Sequence, residues 1–245
     1  MWARIALRLF WRELKNGELW VIAFALMLAV FSVVSLTGIT ESIRQALLQR
    51  SSSFSAADLV LRSTEPFPET IFAKATDSNV QTARQLQFNT MIFAAENMQL
   101  VNVKAVSGSY PLRGELVLAG QQGEVMRQVQ TGRVYLEPRL LQLLGTAVGQ
   151  RLDVGRTSLL IGGTIVNEPD APLNLFGGQP RLLMHLDDVA ATGAIAPGSR
   201  LSYRSLFAGS TQQIKNFQQE ANSLLRPTDR WQQLDRQSSI GAAVD

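Results

Sequence analysis

Between Leu19 and Thr40 no side chain carries a charge, and Leu, Val, Ile, Ala, Met and Phe fill most of the positions. As a helix rising 1.5 Å per residue, such a run covers roughly 30 Å, the hydrocarbon thickness of a bilayer. A buried core helix seldom stays apolar on every side for that long. The run also exceeds the usual hydrophobic region of a secretory leader, and no A-x-A-like cleavage site follows Ser35 or Thr40. The pattern predicts an uncleaved transmembrane anchor, and nothing comparable recurs in the remaining residues.

The charges ahead of the run set its orientation. Arg4, Arg8, Arg12 and Lys15 are spaced four, four and three apart, so on a helix they share an arc of roughly 80°. Trp2, Ile5, Leu9, Phe10 and Leu14 take the other side, interrupted by Glu13. A helix of this kind lies in the headgroup layer, with its basic side chains toward phosphates. The positive-inside rule then puts the N-terminus in the cytoplasm and the bulk of the chain outside it. The formal net charge is +3, of which the first eighteen residues supply two. The near-neutral remainder has no basic patch, which argues against nucleic acid as a partner despite a pI near 9.6. There is no cysteine. The exported part, about 190 residues, is long enough to fold on its core alone.

Beyond the anchor, Ile39, Ile43, Ala46 and Leu47 continue a helical stripe until the serines at 51–53. Two readings stand: surplus helical turns packed on the domain, or a stalk coupling membrane to domain through Ile43 and Leu47. "ADLVLRS", "EPFPETIFAKATDS" and "NVQTARQLQFNTMIFAA" then read as strand, helix and strand, with Pro68 in the first helical turn and Ile71, Phe72 and Ala75 inward. "SRLSYRSLFAG", "STQQIKNFQQEANSLLRP" and "DRWQQL" repeat that order. There Ser210 or Thr211 caps a helix whose Ile214, Phe217, Ala221, Leu224 and Leu225 share a face, and Pro227 stops it. Between these units lie short Gly-punctuated strands, "MQLVNVKAVS", "GELVLAG", "GRVYLE", "QRLDVG", "SLLIGGTIV" and "RLLMHL", with brief helices at "EPRLLQLLG" and "DDVAATG". The prediction is an α+β domain made of two β-α-β units split by a β-rich insert.

Catalytic signatures are missing: no Walker A loop, no G-x-S-x-G elbow, no H-E-x-x-H and no Cys/His cluster. His185 is the only histidine, and a lone histidine in a strand lacks the positioned partner that a general base needs. The loop "NEPDAPLNLFGGQP", residues 167–180, combines three prolines and two glycines with Glu168, Asp170, Leu173, Leu175 and Phe176. It is either an Ω-loop packed by its own Leu and Phe or a contact surface for cargo or a partner. Glu168 and Asp170 are a poor acid-base pair, because Pro169 separates them and no metal ligands accompany them. "VKAVSGSYPLRGEL" reads mainly as a strand followed by a Pro-Gly turn segment, the alternative being that Tyr110 and Arg113 present a surface to a neighbour.

Taken in order, "RLFWRELKNGELW", "ADLVLRS", "VKAVSGSYPLRGEL", "EPRLLQLLG", "NEPDA", "PRLLMHLDDVAATG" and "PGSRLSYRSLFAG" resemble the YbbP-like branch of the MacB/FtsX superfamily of ABC transporter permeases. The resemblance covers nearly the whole chain. It implies a bacterial inner-membrane exporter subunit divided into four parts. These are a cytoplasmic amphipathic helix at 1–18, a transmembrane helix and periplasmic stalk at 19–53, a porter-like subdomain at 54–96 and 198–245, and an inserted β-rich subdomain at 97–197. It further implies a cytoplasmic ATPase partner similar to the lipoprotein-release ATPase, which binds the ATP and Mg, so that no cofactor is expected in this chain. Membrane lipids, hydrophobic or lipid-like cargo and a periplasmic esterase or lysophospholipase also belong to that expectation. In such permeases ATP-driven closure moves the periplasmic domains through the stalks, a mode called mechanotransmission. The family continues into a second span, so this stretch reads as an N-terminal fragment. No catalytic residue carries over. Two other classes fit the sequence: a singly anchored extracytoplasmic binding or sensor domain, and an anchored periplasmic hydrolase.

Overall fold

The computed structural model describes residues 20, 24–32, 35, 56–171, 178–196 and 198–233. The chain divides into two units, 1–51 and 52–245. In the first, residues 24–32 are helical, and Phe24, Leu26, Met27, Leu28, Val30 and Phe31 are all exposed. Successive side chains on a helix are about 100° apart, so these six point in every direction and the segment is apolar all round. No helix among the described residues is long and apolar enough to cross a membrane. Arg4, Arg8, Arg12, Lys15, Ile43 and Leu47 lie outside the described residues, as do Leu173, Leu175 and Phe176.

Among the described residues, the second unit holds one mixed sheet of eleven strands. Strand β1 (Leu59–Ser63), helix α1 (Glu69–Asp77) and strand β2 (Gln81–Ala94) form the first β-α-β unit. Strand β10 (Ser202–Ala208), helix α4 (Thr211–Ala221) and strand β11 (Arg230–Gln233) form the second. Neither unit pairs its own two strands. The order is β11-β1-β10-β2, with β10 antiparallel to both β1 and β2, and β1 antiparallel to β11. Each unit is therefore split by a strand of the other, the double split β-α-β arrangement.

The intervening residues extend this sheet. Strand β3 (Asn97–Val106) returns along β2 as a long hairpin. Outward from it come β9 (Arg181–His185), β6 (Arg133–Leu136), β8 (Thr157–Asn167), β4 (Val117–Ala119) and the two-residue β5 (Val125–Met126). Strand β7 (Arg151–Val154) bridges β2 and β8. Helix α2 (Pro138–Leu144) has Pro138 at its start and ends on Gly145, whose left-handed backbone (φ 60°) closes it. Helix α3 (Val189–Thr192) follows a 3-10 turn at Leu186–Asp188.

Among the described residues of this unit, helices α1 to α4 pack on one side of the sheet. Ile71, Ala75, Phe217 and Ala221 meet Leu59, Leu61 and Phe207, while Leu140, Leu144 and Val189 meet Phe88, Val103, Leu182 and Met184. Phe207, Phe217 and Trp231 stack with centroids 4.6 to 6.0 Å apart. Ile71, Phe72 and Ala75 face inward, as their spacing predicts. Leu224, expected on the buried face of α4, is instead 38% exposed. The helix tightens into a 3-10 turn over Asn222–Leu224, and the changed angle per residue swings that side chain outward. On the opposite side a second core gathers Val60, Ala83, Val106, Tyr135, Leu183 and Leu206 beneath Ala56, Tyr110, Leu116 and Leu118. The polar site lies on that same side of the sheet.

Candidate functional site

Within β3, Val101, Val103 and Ala105 turn toward the helices, so strand alternation sends Asn102 and Lys104 to the other side. Lys104 is only 5% exposed there. An ammonium so far from water needs charged partners, and the chain after β8 supplies them. Lys104 Nζ lies 2.5 Å from Glu168 Oε1 and also pairs with Asp170 Oδ1. It donates to the Tyr110 hydroxyl at 2.8 Å and sits 4.5 Å from the centre of that ring. Tyr110 in turn donates to Asp170. Glu168 spends its second oxygen on Arg181, 2.5 Å away on β9. Arg181 also approaches Glu137, at the head of α2, at 3.7 Å.

Opposed forces act on the titrating groups. Burial pushes the Tyr110 hydroxyl well above the usual phenol range, and the Asp170 and Glu168 charges push the same way. Burial also pushes Asp170 up, but the charge of Lys104, with hydrogen bonds from Lys104 and Tyr110, outweighs it and holds the carboxyl below its ordinary value. At neutral pH the Tyr110 phenol therefore keeps its proton, and Asp170 is ionised. Beside it opens a cavity of about 420 Å³, lined by Gln87, Asn102, Lys104, Asp170, Arg181 and Arg204 among others. Both carboxylates are committed to cations, so the arrangement suits binding of polar or anionic groups better than proton transfer.

The structure thus brings together Glu168 and Asp170 from the expected cargo or partner loop, turned inward onto Lys104. Tyr110 does not present a surface to a neighbour. It is 2% exposed, because a phenol can satisfy a buried ammonium and a carboxylate at once. Arg113 stays partly exposed but is tied down within the domain, pairing with Asp58 at 2.8 Å and donating to the Gly209 carbonyl at 3.4 Å. His185 closes β9, with Nδ1 accepting from the Asp187 amide at 3.3 Å. Lys104, Arg181, Arg204 and Gln85 escaped the sequence reading. The one available signal was a lysine amid buried apolar residues in "LVNVKAV", a position that only a paired charge tolerates.

Similar proteins are known in sequence and in fold. The chain is 37% identical over 239 residues to an uncharacterized ABC transporter permease, YbbP, of Escherichia coli strain K12. In sequence it is similar to one part of that ABC transporter permease. The match takes in 97% of this chain but only 29% of that relative's length. No protein-family model matches the chain. Among solved structures, the periplasmic region of MacB from Actinobacillus actinomycetemcomitans shares the fold of this chain. Its TM-score is 0.51 at 9% identity, over 78% of this chain and 96% of that one. The extracellular domain of a noncanonic ABC-type transporter, YknZ, from Gram-positive bacteria aligns over 71% of this chain and 99% of its own. There the TM-score is 0.49 at 13% identity.

Proposed function

We propose that this chain is the first membrane-anchored part of the permease subunit of a bacterial inner-membrane ABC exporter, with the sheet domain in the periplasm. The observation that carries this reading is the 37% identity to an ABC transporter permease along 97% of the chain. The MacB-like fold supports a periplasmic place for the domain. The apolar, all-round exposed helix at 24–32 supports the anchor. In this reading the N-terminus stays in the cytoplasm, where Arg4, Arg8, Arg12 and Lys15 meet lipid phosphates and an ATPase similar to the lipoprotein-release ATPase. That partner binds ATP and Mg. Its closure moves the periplasmic domain through a stalk containing Ile43 and Leu47. The cargo is hydrophobic or lipid-like, met by the 167–180 loop and handed to a periplasmic esterase or lysophospholipase.

The test is made in the cell on the native gene product. An N-terminal tag, gentle detergent extraction and mass spectrometry should recover an ABC ATPase with the tagged chain, and R4E/R8E/R12E should lose it or invert the topology. Recovery of the tagged chain without an ATPase would overturn the reading. So would unchanged co-purification and topology in the triple variant overturn the role given to the arginines.

A further inference from the structure

Three arginines cross the helix-free side of the sheet in a single row. Arg230 on β11 pairs with Arg62 on β1, Arg62 pairs with Arg204 on β10, and Arg204 pairs with Gln85 on β2. Directly opposed residues of antiparallel strands project to the same side, with Cβ atoms about 5 Å apart. Three guanidinium side chains and a carboxamide therefore rise next to one another across about 15 Å. Their side is settled by their neighbours: Leu61 and Trp231 pack beneath the helices, so Arg62 and Arg230 face away from them.

This row is not neutralised. Like charges directly opposite one another destabilise a sheet, yet none of the three arginines has an ion pair among the described residues. Arg62 donates to the Gln232 side-chain oxygen at 3.5 Å and Arg230 to the Asp229 carbonyl at 3.4 Å, both neutral acceptors. The Nε of Arg204 is buried without a partner, and so are both polar atoms of Gln85, a residue only 2% exposed. The carboxylates that face Arg204, Asp170 and Glu168, are already engaged by Lys104, Tyr110 and Arg181. Burial, with Arg62 alongside, makes the charged form of Arg204 costlier than in water. Arg204 also lines the cavity, so the row opens into it beside Lys104 and Arg181. Repulsion between guanidiniums and an unsatisfied buried amide both raise the energy of the folded state. An anion seated on the row removes the first.

We propose that this row is a phosphate-binding site. Arg62 and Arg204 take the phosphate oxygens in two-pronged contacts, and Arg230 adds charge at the outer edge. A phosphate fits better than a carboxylate because its oxygens and double charge match several guanidinium forks, where a carboxylate satisfies one. The site stands independently of the transport reading. The phosphate belongs either to a soluble phosphate ester or to a phospholipid headgroup, and the experiment separates these.

The full chain in a nonionic, phosphate-free detergent is melted in inorganic phosphate and in sodium chloride of equal ionic strength. In a second arm the micelles carry phosphatidylglycerol or, as the phosphate-free control, diacylglycerol. The native chain should gain melting temperature with the phosphate-bearing probe over its control. A gain with inorganic phosphate assigns a soluble ester, and a gain with phosphatidylglycerol alone assigns a headgroup. R62Q/R204Q should lose the gain. Arg230→Gln, at an exposed position that leaves folding intact, should weaken the phosphate response about tenfold, the equivalent of one lost charge contact of about 1.4 kcal/mol. No gain in either arm, or an unaltered response in R230Q, overturns the site.

Discussion

Lys104 Nζ and Glu168 Oε1 lie 2.5 Å apart, joining residues 64 positions distant in the chain at a point where both side chains are nearly closed to water. The pair ties β3 to the segment leaving β8. Through the second Glu168 oxygen and Arg181 it also ties that segment to β9. It is the hinge pin of the polar cluster, and its removal is the most direct probe of that cluster.

Lys104→Met should destabilise the domain by about 3 to 5 kcal/mol, because it leaves Glu168 and Asp170 buried with one fewer cation. Chemical denaturation of the chain in detergent measures this. K104M/E168Q should recover part of the loss, since the second change removes the stranded charge, and a double-mutant cycle reads the coupling. Strictly additive losses would show that the two residues do not act as a pair.

Acid should weaken the cluster in a defined window. The folded protein holds the Asp170 proton less tightly than the unfolded chain does. Its contribution is therefore complete above pH about 4 and is lost as pH falls through the depressed folded value. Asp170→Asn should lower stability at neutral pH and flatten the decline below pH about 4. Asp229, also held below its ordinary value by Arg226 against the effect of burial, preserves part of the decline. Denaturation midpoints across that range decide it, and an unchanged acid limb in D170N would refute the assignment.

Helix α4 is held at two points of different strength. Its Ser210 side chain accepts from the Gln213 amide while Gln213 reaches back to the Ser210 amide, a complete capping box. Ser210→Ala should cost about 1 kcal/mol. Phe217 is fully buried against Phe207 and Trp231, and Phe217→Ala should cost about 3 to 5 kcal/mol. Urea midpoints compare the two, and an equal cost for both would contradict the packing described.

Gly155, in the turn between β7 and β8, has φ of 60°, and a Cβ there would stand 2.3 Å from the Thr192 carbonyl oxygen. The Arg156 amide donates to that same carbonyl at 2.7 Å. Gly155→Ala should therefore pry the turn from the end of α3 and cost about 1 to 3 kcal/mol. Hydrogen exchange at the Arg156 amide should accelerate in step. Unchanged protection there would sink this account.

Local physical signals carried far along this chain. The period-2 pattern of β2 and β10, the Ser210 cap of α4 and the brief helix α2 are each set by neighbours within a few residues. They were readable because propensity, capping and strand alternation act over that range. Tertiary structure decided what is non-local. It put β10 between β1 and β2, buried Tyr110 instead of presenting it, and turned Glu168 and Asp170 onto Lys104. It also brought Arg62, Arg204 and Arg230 to one level from three distant segments. Register is fixed only when whole strands align their apolar faces, and a one-residue slip would send every one of these side chains to the other side. A buried charge likewise chooses its partner across space, so no spacing in the sequence announces it.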